Sequence, residues 1–156
     1  MIYHSSYLSY AFHSPERYKE NLDIAVSRVQ RIQEKYKFQA IAFTGVSGSA
    51  LAFPISYMTG IPLICIRKPN IKSHSHAIAG VEMSASTNSI RKYAVIDDVI
   101  DTGDTFNKIK KAVRQKFKDL GMRPPKCSVV MCMSVYEPVW KQVPVKSLLY
   151  DDLGEK

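Results

Sequence analysis

The sequence lacks any run of the roughly 20 apolar residues needed to cross a bilayer. No basic segment followed by an apolar stretch opens it, so no secretory signal is expected. There is no internal repeat, no low-complexity tract and no linker-like stretch. Cysteine is scarce: Cys65, Cys127 and Cys132 are three, an odd number without metal-ligand spacing. That pattern argues against a disulfide framework or zinc module and for free thiols in a reducing, cytoplasmic setting. Acids are outnumbered, 14 against 22 lysines and arginines, for a net charge of +8. Such a field suits nucleic acid, an anionic surface or a phosphorylated small molecule and does not choose among them. Much of the excess falls on Lys108, Lys110, Lys111, Arg114, Lys116, Lys118 and Arg123, which also reads as a solvated helix face.

What is present is enough apolar residue, 46% of 156, to build one buried core. Helix and strand patterns alternate. Tyr18, Leu22, Ala25, Val26, Val29, Ile32 and Tyr36 recur at helical spacing behind Ser14-Pro15, a helix-opening pair. Gln39 to Phe43 reads as a buried strand and Ser49 to Met58 as a helix stopped by Thr59-Gly60. Pro62 to Ile66 is a second strand, Asn70 to Ala79 a long loop, and Tyr93 to Ile96 a third strand. Phe106, Ile109, Val113, Phe117 and Leu120 mark a helix ending at Gly121, with strands expected over Ser128–Val135 and Val145–Tyr150. The alternation predicts one α/β domain over residues 1–156, a parallel sheet flanked by helices on both faces. Ligands then gather outside the carboxyl ends of the strands. Thr44-Gly45, Arg67-Lys68 and Asp97-Asp98 stand at three such ends.

Asp97 and Asp98 follow a buried strand directly, and unpaired carboxylates are costly to bury. At a strand's edge they can accept hydrogen bonds from a sugar diol or hold magnesium. Thr102-Gly103-Asp104-Thr105 leads into the next helix, whose first N–H groups favour an anion. Strand and helix capping without any ligand is the plainer alternative.

The whole string Ala94-Val95-Ile96-Asp97-Asp98-Val99-Ile100-Asp101-Thr102-Gly103-Asp104-Thr105 resembles the 5-phosphoribosyl-1-pyrophosphate (PRPP) motif of type I phosphoribosyltransferases. The resemblance implies a Rossmann-like core with a small base-binding hood from the terminal segments. It also implies that Asp97 and Asp98 hold the ribose hydroxyls, with magnesium nearby. Thr102, Gly103, Asp104 and Thr105 would wrap the 5-phosphate, Asp104 through its backbone alone. Asp101 stands where 6-oxopurine enzymes keep an aspartate near a ring nitrogen of the base, a candidate for proton transfer. Thr44-Gly45-Val46-Ser47-Gly48 resembles the family's pyrophosphate loop. Ile61 to Lys68 resembles the strand before the catalytic loop of orotate enzymes, which gives Arg67, Lys68, Lys72 and His74 to the pyrophosphate. Here Lys72 stands one residue late, and a serine follows His74 where glycine is usual. His74 and His76 as metal ligands, or the segment as a plain solvated loop, remain alternatives. Trp140 and Tyr136 can stack on a base or serve as core or interface.

The implied activity is magnesium-dependent transfer of phosphoribosyl from PRPP to a nucleobase, a purine preferred and an orotate-like base the rival, by a homodimer. The alternative is a non-catalytic PRPP-binding regulator of transcription or RNA, motivated by the basic helix. Nucleic acid is the less favoured partner, and no membrane is expected.

Overall fold

The structure, a computed structural model, describes residues 14–67, 80–84, 86–100, 103–135 and 142–149. Helix α1 covers Pro15–Tyr36, strand β1 Ala40–Thr44, helix α2 Gly45–Thr59, and strands β2 Leu63–Ile66 and β3 Val81–Met83. A single 3₁₀ turn at Thr87–Ser89 precedes β4, Lys92–Ile100. Helix α3 spans Asp104–Asp119, followed by β5, Lys126–Val135, and β6, Val145–Ser147.

The six strands lie in the order β3-β2-β1-β4-β5-β6. All neighbouring pairs are parallel except β2 with β3. The expected parallel sheet flanked by helices is thus present, with one antiparallel strand added at its edge. Three residues of Val-Glu-Met are too few to show a strand period. The Arg67 N–H, donating to the Gly80 carbonyl at 2.6 Å, brings the chain back alongside β2.

Local chemistry starts the helices where the sequence places them. The Ser14 hydroxyl accepts from the Arg17 N–H at 3.2 Å, and Pro15 occupies the first turn. Gly60, with φ of 73°, ends α2 in the left-handed region. The sheet's two faces then carry separate cores. Ala25, Val29 and Ile32 of α1 and Leu51, Ala52 and Ile55 of α2 pack with Ile41, Phe43, Ala94, Ile96 and Met131. Phe106, Ile109, Val113 and Phe117 of α3 pack with Ala40, Ala42, Ile64, Val95 and Val130 on the other. Strand residues alternate between these sets, so α1 and α2 cover one face and α3 the opposite one.

Pro54 sits inside α2. A proline there removes the N–H that would bond the carbonyl four residues back, that of Ala50. The Tyr18 hydroxyl from α1 donates to that same carbonyl. The bond both mends the break and docks α1 on α2, and burial raises the Tyr18 phenol above its ordinary pKa. Tyr18→Phe is expected to cost on the order of 1 kcal/mol in urea unfolding. In a Pro54→Ala background the same change should cost clearly less, because the introduced alanine supplies the missing N–H donor. Equal costs in both backgrounds would show that the hydroxyl does not compensate for the proline.

Candidate active site at the sheet's switch point

The chain leaves β1 toward β2 on one side and later returns to place β4 on β1's other side. The carboxyl ends of β1 and β4 therefore flank the point where the strand order reverses, the usual ligand crevice of such sheets. Ala42 pairs with Val95, and continuing that register brings Thr44 level with Asp97. Thr44 pairs with Ile66, so Arg67 stands one residue beyond, on the same rim. The three expected strand ends do meet on one edge.

Two helices begin at this crevice, one from each of the two strands' loops. Helix α2 starts at Gly45, whose φ of 73° turns the chain sharply out of β1. The sequence pattern places its start four residues later, at Ser49; the segment expected as a loop is instead the helix's first turn. No side chain caps α2, since the Thr44 hydroxyl donates to the Ile66 carbonyl at 2.7 Å. Thr44 thus ties β1 to β2, and its segment offers an anion the backbone N–H groups of the turn that follows. Helix α3 likewise starts without a side-chain cap, behind the buried Gly103 with φ of 84°. Asp104 and Thr105 are exposed in its first turn. Both helices direct the positive ends of their dipoles at the rim.

Asp97 and Asp98 lie between these ends, but not where a strand stops. Strand β4 runs on to Ile100, pairing Asp97 with Cys132 and Val99 with Ser134. The carboxylates interrupt an apolar strand without ending it, which corrects the boundary at Ile96. Asp97 is only 8% exposed. It accepts from the Asp98 N–H at 2.9 Å and from the Ser47 hydroxyl in the first turn of α2. Burial, then a side-chain hydrogen bond with Asp98, then that residue's negative charge push the Asp97 carboxyl up to about 7. Adjacent acids at this crevice are a place a cation or a pair of hydroxyls fits. Ser47 is the site residue that sequence reasoning passed over. It lay inside the quoted glycine segment, and a serine in a helix's first turn signals nothing without the fold.

Arg67 has a partner the sequence did not suggest. Its guanidinium reaches both carboxylate oxygens of Glu82 on β3, at 3.0 and 3.1 Å. Both contacts come from one guanidinium nitrogen, which tethers the side chain at the rim. Lys68, Lys72, His74, His76, Asp101, Thr102, Tyr136 and Trp140 lie outside the described residues, as do the terminal segments expected to form a hood.

No protein-family model and no curated protein match the chain. Solved structures do. An orotate phosphoribosyltransferase from Aeropyrum pernix superposes with a TM-score of 0.54 at 18% identity, over 79% of this chain and 62% of that one. The chain has the type I phosphoribosyltransferase fold. An adenine phosphoribosyltransferase from Saccharomyces cerevisiae, solved with adenine and an imino-altritol bisphosphate, gives 0.60 at 16% identity, over 89% and 82%. The orotate phosphoribosyltransferase of Francisella tularensis gives 0.56 at 16%, over 86% and 67%. The chain thus spans less than two thirds of the Aeropyrum enzyme and most of the yeast one. No helix among the described residues is long and apolar enough to cross a membrane, and the three cysteines are free thiols.

The raised Asp97 pKa fixes the sign of a stability effect. Its folded value of about 7 lies above the unfolded value of about 3.9, so ionisation favours the unfolded chain. This penalty is absent below about pH 4, grows between about 4 and 7, and is complete above. Asp97→Asn keeps the acceptor for the Asp98 N–H and removes the charge. In magnesium-free buffer it should match the wild type near pH 4 and exceed it by roughly 2–4 kcal/mol near pH 8. Denaturant titrations across that range test it; a variant less stable at pH 8 would reverse the assignment.

Proposed function

We propose that the protein is a magnesium-dependent phosphoribosyltransferase that transfers phosphoribosyl from PRPP to a ring nitrogen of a nucleobase, a purine by preference, and releases pyrophosphate. The observation that carries this reading is the meeting of an adjacent carboxylate pair with the uncapped first turns of α2 and α3 at the reversal point of the sheet. An anionic sugar with two vicinal hydroxyls and phosphates at either end matches that layout. The fold shared with adenine and orotate phosphoribosyltransferases supports it.

Asp97 and Asp98 accept the ribose 2- and 3-hydroxyls. The first turn of α3, from Gly103 through Thr105, takes the 5-phosphate, with Thr102 completing the loop. The first turn of α2 and Arg67 face the pyrophosphate, joined by Lys68 and Lys72. As the bond from C1 to the pyrophosphate oxygen breaks, negative charge grows on the leaving group, and these cations and N–H groups stabilise it. The base nitrogen forms the new bond to C1 and loses its proton, with Asp101 as acceptor and His74 beside the leaving group. Two carboxylates fit magnesium carried in on the substrate's oxygens better than an ion caged by protein. Among the described residues no three metal-binding side chains cluster. Magnesium, when bound, supplies charge neutralisation at the diol and pyrophosphate. We place the enzyme in the cytoplasm, in nucleotide salvage.

Calorimetry with PRPP and magnesium should show binding that Asp97→Ala with Asp98→Ala abolishes. Arg67→Gln should weaken it by about 10- to 100-fold, the worth of a charge-assisted hydrogen bond. Pyrophosphate release assayed over adenine, hypoxanthine, guanine, xanthine and orotate tests transfer. Release with none of them, in a sample that binds PRPP, would leave the second reading, a PRPP-responsive regulator. That reading draws on α3 and its flank, where eight cations between Thr105 and Lys126 face the single carboxylate of Asp119. It requires retention on nucleic acid that salt releases.

A further inference from the structure

Three hydroxyl side chains stand at the start of α2, yet no side chain caps the helix. Thr44 donates to the Ile66 carbonyl at 2.7 Å. Ser49 donates back into its own helix, to the carbonyls of Gly45 at 2.7 Å and Val46 at 3.0 Å, as serines within helices commonly do. Ser47, between them, turns to another element. It is buried, and its hydroxyl donates to the Asp97 carboxylate on β4. Among the described residues the buried polar ones are Arg28, Ser47, Asp97 and Ser147, and they meet in pairs. Arg28 with Ser147 ties α1 to the edge of the sheet, whereas Ser47 with Asp97 lies at the crevice.

The backbone is shaped for this second contact. Gly48 lets α2 lie so near β4 that an added Cβ would already touch, at 3.4 Å from the Phe43 Cβ and 3.7 Å from the Ile96 carbonyl oxygen. Ile96 directly precedes Asp97. The first turn of α2 is therefore held against the one stretch of β4 that carries the acids.

We propose that Ser47 is a positioning residue that aims Asp97 at the vicinal hydroxyls of the sugar and so sets the site's selectivity for a ribose diol, an inference that rests on the phosphoribosyl reading of the crevice. The last torsion of an aspartate is broad, so packing alone does not aim its oxygens. An ionised carboxylate has about four acceptor positions. The Asp98 N–H, at 2.9 Å, and the Ser47 hydroxyl each occupy one. The N–H belongs to the next residue of the same strand, while the hydroxyl comes from across the crevice. Donors from two directions fix the rotation of the carboxylate and leave its remaining positions to a ligand. Ser47 also belongs to the turn whose uncapped N–H groups face the pyrophosphate. The turn that receives the leaving group thus orients the acid that receives the sugar.

Calorimetry of the full chain with two probes tests the proposal: ribose 5-phosphate, and tetrahydrofurfuryl phosphate, which has a five-membered ring and a phosphate but no diol. The wild type is expected to prefer ribose 5-phosphate. Ser47→Ala should weaken ribose 5-phosphate by about 10-fold, the worth of one hydrogen bond to a charged group. It should leave tetrahydrofurfuryl phosphate nearly unchanged, so the preference shrinks. Ser47→Thr restores a hydroxyl and should restore the preference. Ser49→Ala, which removes bonds within the helix alone, should keep both affinities. Urea unfolding of each variant separates selectivity from stability, since a purely structural tie would lower stability and leave the preference intact. A Ser47→Ala protein with the wild-type preference overturns the role of Ser47, and phosphoribosyl transfer still stands. A wild type that binds PRPP with magnesium but shows no preference for the diol overturns it equally. A wild type that binds neither PRPP nor either probe overturns both readings.

Discussion

The burial of one carboxylate organises this molecule. Asp97 sits inside a strand, level with the end of β1, held by the Asp98 N–H and the Ser47 hydroxyl. An acid in that position costs folding free energy that these two hydrogen bonds offset in part. The position exists because β1 and β4 are neighbours whose following helices leave on opposite faces of the sheet. That divergence opens the crevice and brings two helix starts to its walls. A fold that packed the acids more comfortably would close the site.

The sequence made much of this legible, for identifiable reasons. Ser14-Pro15 and Gly60 act through local geometry, so α1 begins and α2 ends where they predict. Apolar runs flanked by polar residues locate β1, β2 and β5 within two residues, since strands buried on both faces carry little else. The convergence of Thr44, Arg67 and Asp97 on one rim follows from parallel strands alone.

What escaped depended on contacts between distant segments. Strand β3 exists because the return from Arg67 to Gly80 aligns it with β2. Continuation of β4 through two acids is allowed by β5, which pairs with it as far as Ile100. A residue-type rule ends the strand at Asp97, because it cannot see that partner. The early start of α2 depends on the left-handed turn at Gly45, and glycine permits such a turn without demanding it. The Arg67–Glu82 pair spans 15 residues with no pattern between them. Charge, by contrast, was fully readable, yet its use was not. Only the fold shows that the cation-rich helix starts at the crevice and lies across the sheet from α2.

The Arg28 guanidinium of α1 is buried, and its Nε donates to the Ser147 carbonyl of β6 at 2.8 Å, across 119 positions. The earliest described helix is thus clasped by the latest described strand. Until that strand has cleared the exit tunnel, α1 lacks one of the acceptors for a charge it must hide, and its docking cannot be complete. Synthesis and folding are therefore out of step in this chain. A nascent polypeptide halted before β6 would present an unfinished helical layer to whatever chaperones attend it.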